Sequence, residues 1–226
     1  MVITIDGPAG AGKSSVAREL ARQLGFQFLD TGAMYRAVAY LALQQGVGWD
    51  DSSTLGQLAA GLQLEFREEI VLVGGQDVSQ AIREPEVTDN IHHVADNLEV
   101  REALVRLQRQ LASSGDVVTE GRDQGTVAFP EADCKIFLTA SPLERASRRQ
   151  AQLQEQGIDI EWEDVFAQLQ SRDERDAKRP VGRLQAAEDA TTVNTDDLDE
   201  TEVVEQLVRL VNENSTGSIA TSRKRP

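Results

Sequence analysis

A glycine-rich segment near the start of the chain has the residue types and spacing of a phosphate-binding loop. Residues 7–14 fit the pattern G-x-x-x-x-G-K-[ST] at every specified position. Small residues let several backbone N–H groups approach a triphosphate, and the N-terminus of a following helix adds a positive dipole end. Lys13 would reach the β and γ phosphates, and the Ser14 hydroxyl would ligate Mg²⁺. The sequence therefore predicts a triphosphate site formed by Gly7, Pro8, Ala9, Gly10, Ala11, Gly12, Lys13, Ser14 and Ser15.

Arginines in three later segments could neutralise a second phosphorylated molecule. One segment starts a predicted helix, and one ends a predicted strand, where ligands gather in open α/β sheets. The third has i, i+3 and i+7 spacing, which predicts one face of a helix with an aspartate interleaved. Taken singly, such residues are also typical of a solvated helix or of an i, i+4 surface ion pair. The residues concerned are Arg36, Arg122 with Asp123, and Arg172, Arg175 and Arg179 with Asp176.

A phosphate-binding loop alone does not name a reaction, because several classes of protein share it. A GTPase switch should carry D-x-x-G and N-K-x-D, and the sequence contains neither pattern. A transport ATPase should carry L-S-G-G-Q. The similar run Leu72–Gln76 is instead predicted to be a Gly-Gly turn in a hairpin. A regulator that binds nucleotide without turnover stays open as an alternative, although it does not explain the arginines.

The elements that would position these residues follow an α/β pattern. A strand, a glycine loop, a helix and another strand occupy the first 30 residues, which predicts a parallel sheet. Apolar runs predict strands at 2–5, 26–29, 117–119 and 136–138, and residues 191–193 are expected to form a fifth strand. Apolar periodicity predicts helices at 14–24, 33–45, 97–111 and 199–213.

Two segments depart from this alternation. Residues 62–78 alternate apolar and polar positions, which predicts a small antiparallel meander within an insertion over about 57–90. The polar stretch 143–176 predicts two helices flanking a mobile hairpin at Gly157. The last residues, 214–226, are rich in Ser, Thr and basic side chains and are expected to be disordered.

Composition narrows the functional class. Hydrophobic residues make up 40% and charged residues 27%, as in ordinary soluble domains, and no apolar run is long enough to span a membrane. The net charge of -15 argues against a binder of nucleic-acid backbones. Cys134 is the single cysteine, so no internal disulfide or thiolate zinc cluster can form. With no apolar leader before the first strand, we expect a cytoplasmic protein, with a monomer as the default.

Taken together, these motifs resemble the bacterial cytidylate kinase family across nearly the whole chain. The matching segments are I-D-G-P-A-G-A-G-K-S, D-T-G-A-M-Y-R, V-R-E-A-L, G-R-D-Q-G-T-V-x-F-P, K-I-F-L-T-A, and R-D-E-R-D-x-x-R followed by A-x-D-A. The resemblance implies a P-loop nucleoside monophosphate kinase fold of the α/β class. That fold has a five-stranded parallel sheet flanked by helices, a small β-containing monophosphate-binding insertion and a short lid. The implied reaction is phosphoryl transfer from ATP to CMP or dCMP with Mg²⁺, and a kinase for UMP is an alternative within the same class.

The resemblance also implies a role for each candidate residue. Arg36, Arg122 and Arg179 would bind the acceptor phosphate with Thr31 nearby, Arg101 and Asp123 would meet the cytosine, and Arg172 and Asp176 would hold the sugar. The residues expected to act in the transfer itself are Lys13, Arg122, Arg175 and Arg179. The expected core comprises 1–56, 91–147 and 172–213, with the monophosphate-binding insertion at 57–90 and the lid at 148–171.

Overall fold

The computed structural model describes residues 1–67, 70–155 and 157–222. The strands are β1 (Val2–Asp6), β2 (Gln27–Asp30), β3 (Leu64–Arg67), β4 (Ile70–Val73), β5 (Gln76–Asp77), β6 (Val117–Gly121), β7 (Cys134–Thr139) and β8 (Thr191–Asn194). The α-helices are α1 (Lys13–Leu24), α2 (Thr31–Gln45), α3 (Ser52–Ala60), α4 (Pro85–Ala95), α5 (Leu98–Ala112), α6 (Pro142–Glu155), α7 (Trp162–Lys178) and α8 (Glu200–Ser222). A 3₁₀ turn (Ala81–Arg83) and a π-helical turn (Gln124–Ala128) complete the described elements.

A five-stranded parallel sheet confirms the predicted architecture. Its strand order is β2-β6-β1-β7-β8. β1 pairs in parallel with β6, so that Asp6 lies opposite Gly121, and with β7 on its other side. All five residues of β6 are buried, as expected for a strand covered on both faces. This register brings the carboxyl ends of β1 and β6 to the same end of the sheet. The phosphate loop follows β1 there, and the Arg122–Asp123 segment follows β6.

The chain divides into two compact units. The first comprises residues 1–28 and 115–226, and the second comprises residues 29–114. In the first unit, α1 and α8 pack together, and their apolar faces join the central strands in one core. Ile5, Leu20 and Leu207 are completely buried there. A second cluster in the same unit joins α6 and α7.

The described residues of the 29–114 unit form four α-helices and the small antiparallel sheet. Strand β4 pairs with β3 and β5, and Gly74 and Gly75 form the turn between β4 and β5 with φ of 57° and 82°. Both central turn residues thus have positive φ, which glycine adopts at no steric cost. The predicted meander and its Gly-Gly turn are therefore present. Helices α3 and α4 were not predicted, and α3 packs extensively on α5.

The structure differs from the sequence expectations at the chain end. Helix α8 continues to Ser222, whereas the apolar pattern predicted an end near residue 213. Disorder was expected over 214–226, but the helix covers 214–222, and residues 223–226 lie outside the described part. Once a packed segment has nucleated a helix, each further residue adds a hydrogen bond without repeating the nucleation cost, which explains the extension. Over the described ranges, no helix is long and apolar enough to cross a membrane.

Candidate active site

The phosphate-binding loop connects β1 to α1 and passes tightly over β7. A Cβ added to Gly7, whose φ is 152°, would lie 1.9 Å from the Leu138 carbonyl oxygen, so only glycine fits. Gly12 caps α1 in the left-handed conformation with φ of 82°. The loop thus ends on the first turn of a helix, and the backbone N–H groups of that turn are available to an anion.

Lys13 is buried within this loop. Its Nζ donates a hydrogen bond to the Pro8 carbonyl oxygen at 2.7 Å. Burial, together with the nearby cations Arg122 and Arg172, lowers the pKa of Lys13 to about 7, against the opposing charges of Glu120 and Asp6. The predicted loop lysine and two of the predicted arginines therefore act on one another within the first unit. Their mutual repulsion would be relieved by a bound polyanion.

Ser14 forms a hydrogen bond that the sequence did not predict. Its Oγ donates to Glu120 Oε1 at 2.8 Å, and Glu120 is buried at the end of β6. A hydroxyl and a carboxylate in contact provide the oxygen donors that Mg²⁺ prefers. The motif alone indicated Ser14, whereas the local signal for Glu120 was its position at the end of a predicted strand, and its contact with Ser14 depends on β6 lying beside β1.

Asp176 joins two of the predicted arginines. Its Oδ2 accepts from Arg122 Nε at 2.9 Å, and its Oδ1 accepts from Arg179 Nη2 at 2.8 Å. Burial alone would raise the pKa of Asp176, but Arg122, Arg179 and Arg172 outweigh it and lower the pKa. The acid is therefore ionised and holds both guanidinium groups at one place.

The three arginines predicted on one face of a helix differ in their surroundings, and the helix is one residue shorter than that prediction requires. Helix α7 ends at Lys178, and Arg179 has extended backbone angles, φ -56° and ψ 134°. Pro180 explains the end, because the residue before a proline is forced out of the helical region. Arg179, just beyond the helix, is buried and pairs with Asp176, whereas Arg175 is exposed on the helix.

Asp123 lies at the start of the π-helical turn that follows β6, and Asp6 holds that turn in place. Asp6 Oδ1 accepts from the Gln124 N–H at 2.8 Å, and its Oδ2 accepts from the Gly125 N–H at 2.7 Å. Burial, with a smaller effect of the Asp123 charge, raises the pKa of Asp6 to about 6, although the two N–H groups act in the opposite direction. Asp123 is itself buried. Asp6 thus links the start of the phosphate loop to the Arg122–Asp123 segment.

The remaining predicted residues, Thr31, Arg36 and Arg101, lie in the 29–114 unit. Asp30 caps α2 by accepting from the Ala33 N–H at 2.8 Å, and the buried Thr31 is the first helical residue. Arg101 is buried, and its guanidinium lies 5.9 Å from the centre of the Tyr35 ring, one residue before Arg36. This unit therefore places the Arg101 guanidinium close to the α2 segment that carries Arg36.

A cavity of about 260 Å³ borders the phosphate loop within the first unit. Arg148 closes one wall and donates to the Thr195 carbonyl oxygen at 2.6 Å and to its Oγ1 at 2.9 Å. Sequence patterns gave no role to Thr195 or to this cavity, since its lining comes from distant segments. The lining residues are Ala11, Gly12, Ser15, Val16, Arg148, Thr195, Leu198, Asp199, Glu200 and Val203.

Comparison with known proteins identifies the family. The family model described as cytidylate kinase matches residues 3–213. A cytidylate kinase from Rhodopirellula baltica is 53% identical over 98% of this chain and 97% of its own length. A cytidylate kinase from Caldanaerobacter subterraneus is 42% identical over 96% of this chain and 97% of its own length.

A solved structure supports the same fold at lower similarity. A gluconokinase from Sinorhizobium meliloti superposes with a TM-score of 0.51, is 17% identical, and covers 98% of this chain and 97% of its own. Because identity is so low, this likeness concerns the fold alone. The match of the family model to nearly the whole chain, together with the full-length relatives, means that this chain belongs to the cytidylate kinase family.

Proposed function

We propose that this protein transfers the terminal phosphoryl group of ATP to CMP or dCMP, giving ADP and CDP or dCDP. The observation that carries this proposal is the electrostatic interaction of Lys13 with Arg122 and Arg172. One cation belongs to the triphosphate loop, and the others belong to segments expected to bind the acceptor. Phosphoryl transfer between two nucleotides needs such a centre, because two polyanions must be held in line.

The donor half of the proposed site is the loop together with its neighbouring cavity. The triphosphate would lie on residues 7–15, with Lys13 exchanging its bond to the Pro8 carbonyl oxygen for phosphate oxygens. The cavity beside Gly12 and Ser15 would receive the base or ribose of ATP, since it adjoins the loop and its volume of about 260 Å³ suits such a fragment. Arg148 would fix the wall formed by Thr195.

Mg²⁺ fits the oxygen pair at the start of α1. Ser14 Oγ and the Glu120 carboxylate are in contact, and hard cations of this kind take oxygen ligands. When bound, the ion would neutralise charge on the phosphates. Glu120 would accept a hydrogen bond from the Ser14 hydroxyl and so leave the lone pairs of that oxygen directed at the ion.

The acceptor half of the proposal assigns each remaining residue. Arg36, Arg122 and Arg179 would bind the phosphate of CMP beside Thr31, and Arg101 and Asp123 would contact the cytosine. Arg172 and Asp176 would hold the sugar, and Arg175 would assist the transfer with Lys13, Arg122 and Arg179. A nucleoside monophosphate has a second pKa of about 6 and is largely dianionic at pH 7, so no general base is needed.

Two segments are proposed to respond to nucleotides. Residues 57–90 would form the monophosphate-binding insertion, and residues 148–171, which include the end of α6 and the start of α7, would form the lid. Exclusion of water would protect ATP from hydrolysis. We further propose that the protein acts as a monomer in the cytoplasm.

One assay separates the proposed function from its alternatives. ADP release should be measured with ATP and Mg²⁺ in the presence of CMP, dCMP, UMP or AMP. We expect release that depends on CMP and dCMP and is much weaker with UMP. Preference for UMP would replace the proposed substrate, and a protein that binds ATP without acceptor-dependent release would be a nucleotide-binding regulator.

A further inference from the structure

Arg145 is a buried cation that contacts the phosphate loop but belongs to none of the predicted sites. It lies on α6, and its Nη1 donates to the Ala9 carbonyl oxygen at 2.9 Å. Its Nε donates to the Ala140 carbonyl oxygen at 3.2 Å. Its Nη1 also lies 2.6 Å from Asp173 Oδ2 on α7. One guanidinium thus joins the loop, the end of β7 and the second helix of the α6–α7 pair.

Packing at the same place is close. A Cβ added to Gly10 would lie 3.1 Å from both the Arg145 Cβ and the Arg145 carbonyl oxygen. Ala9 is buried in an apolar cluster with residues of α6 and α7, namely Ala146, Leu153, Val165 and Leu169. The loop and the α6–α7 pair therefore share both a hydrophobic contact and a charged one. A movement of either helix would displace Ala9 and Gly10, because packed interiors transmit strain.

We propose that Arg145 is a positioning residue that orients the backbone N–H groups of the loop toward the nucleotide phosphates. In a trans peptide the carbonyl oxygen and the next N–H point in opposite directions. The bond from Arg145 to the Ala9 carbonyl oxygen therefore fixes the direction of the Gly10 N–H. Arg145 does not contact the reacting atoms. It acts on them through the peptide between Ala9 and Gly10.

Asp173 makes this arrangement specific to arginine. Its Oδ2 pairs with Arg145, and its Oδ1 is buried with no hydrogen-bond partner among the described residues. The carboxylate therefore depends on Arg145 for compensation of its charge. A lysine at position 145 would keep the positive charge, but a single ammonium lacks the planar fork that serves Ala9, Ala140 and Asp173 together.

The test is the affinity for ADP, measured calorimetrically without acceptor for the wild type and for Arg145→Lys. This rests only on the proposed donor site, so a protein that binds ADP but does not phosphorylate CMP would refute the proposed reaction and leave this inference standing. Arg22→Lys is the matched control, because Arg22 is exposed and pairs with Glu19. We expect ADP to bind about tenfold more weakly to Arg145→Lys, which is the effect expected from loss of one hydrogen bond donated by a charged group.

The variant should show a kinetic split that loss of stability alone would not produce. The KM for ATP should rise about tenfold with the weaker hydrogen bonding, while the KM for CMP changes less than about twofold. A folded Arg145→Lys that binds ADP as tightly as the wild type would overturn the proposal, since charge alone would then suffice. If the lysine variant does not fold, Asp173→Asn is tested instead. This variant keeps the Arg145 guanidinium but removes the carboxylate charge that pairs with it. There we expect ADP binding about threefold weaker, the scale of a single neutral hydrogen bond, and unchanged binding would overturn the proposal.

Discussion

Asp176 lies between Arg122 and Arg179 and accepts a hydrogen bond from each, at 2.9 Å and 2.8 Å. The three side chains come from the end of β6 and from the end of α7, and Asp176 and Arg179 are buried. Two guanidinium groups and one carboxylate leave a net positive charge at this place. In the absence of a nucleotide, the carboxylate therefore occupies the position of an anion that both arginines could otherwise share.

The first prediction follows from this charge balance. Asp176→Asn should destabilise the ligand-free protein by about 3 kcal/mol, because removal of the carboxylate leaves the buried Arg179 and the half-buried Arg122 without their counter-charge. Inorganic phosphate should restore part of this loss by replacing the carboxylate as counter-charge. Thermal unfolding with increasing phosphate should therefore show a larger gain in Tm for the variant than for the wild type. Both proteins keep the phosphate loop, so phosphate binding to the loop raises the Tm of both equally. Equal gains in Tm would refute the idea that phosphate replaces the Asp176 carboxylate.

The second prediction concerns Lys13. Lys13→Ala should remove most of the turnover while leaving the fold intact, because its Nζ donates only to the Pro8 carbonyl oxygen among the described hydrogen bonds. Lys13→Arg should not restore turnover, since a planar guanidinium does not replace a compact ammonium in a tight buried loop. Steady-state kinetics and circular dichroism of both variants provide the measurement. Near-normal turnover by the alanine variant would contradict the assignment of the loop.

The sheet and most of its helices could be predicted because their signals are local. The apolar runs of β1, β6 and β7 and the periodic faces of α1 and α5 are visible within ten or fifteen residues. The phosphate loop could be predicted for the same reason, since the spacing of its glycines and Lys13 is fixed within eight residues. The Gly74–Gly75 turn is likewise a local signal.

Long-range partners could not be predicted from these patterns. Glu120 meets Ser14 only because β6 lies beside β1, and Arg145 meets Ala9 only because α6 packs on the loop. Helix α7 was predicted to include Arg179, but it ends at Lys178 because the residue before a proline is forced out of the helical region. Spacing along a helix assigns a face, whereas burial and ion pairing depend on which strand or helix lies opposite.

The third prediction tests the oxygen pair at the start of α1. Glu120→Gln keeps an acceptor for the Ser14 hydroxyl but removes the negative charge that would favour Mg²⁺. We expect the Mg²⁺ concentration for half-maximal activity to rise about tenfold, as for loss of one charge-assisted hydrogen bond. Activity should be titrated with MgCl₂ at fixed ATP. Glu65→Gln, an exposed carboxylate on β3, is the control and should leave the Mg²⁺ dependence unchanged.

The fourth prediction concerns stability and pH. The pKa of Asp6 is raised to about 6 from an ordinary value of 3.8, so the folded protein binds this proton more tightly than the unfolded chain. The contribution of Asp6 to stability is therefore complete below pH 4 and is lost as pH rises through 6. Asp6→Asn lacks this titration. Urea unfolding should show the stability of the wild type, relative to the variant, falling by on the order of 3 kcal/mol between pH 4 and 7. Parallel pH profiles for the two proteins would refute the assignment.

The fifth prediction concerns the base. Cytosine presents an amine where uracil presents a carbonyl oxygen, so a carboxylate facing that position attracts one base and repels the other. Asp123 is our candidate for this discrimination, because it is buried beside Arg122 at the end of β6. A site built on such hydrogen bonds rejects the wrong base strongly, since that base leaves buried polar groups unpaired.

The amide of Asp123→Asn can present either an acceptor or a donor to the base. The variant should therefore have a lower kcat/KM for CMP and a smaller ratio of kcat/KM for CMP to that for UMP. Loss of this interaction should cost roughly 1–3 kcal/mol, which is about 5- to 150-fold in the ratio of the two efficiencies. Both efficiencies should be measured for wild type and variant under the same conditions. The KM for ATP serves as the internal control and should not change. If the CMP-to-UMP ratio is the same in both proteins, Asp123 does not contact the base, and selectivity must depend on Arg101 or on His92, which lies on α4.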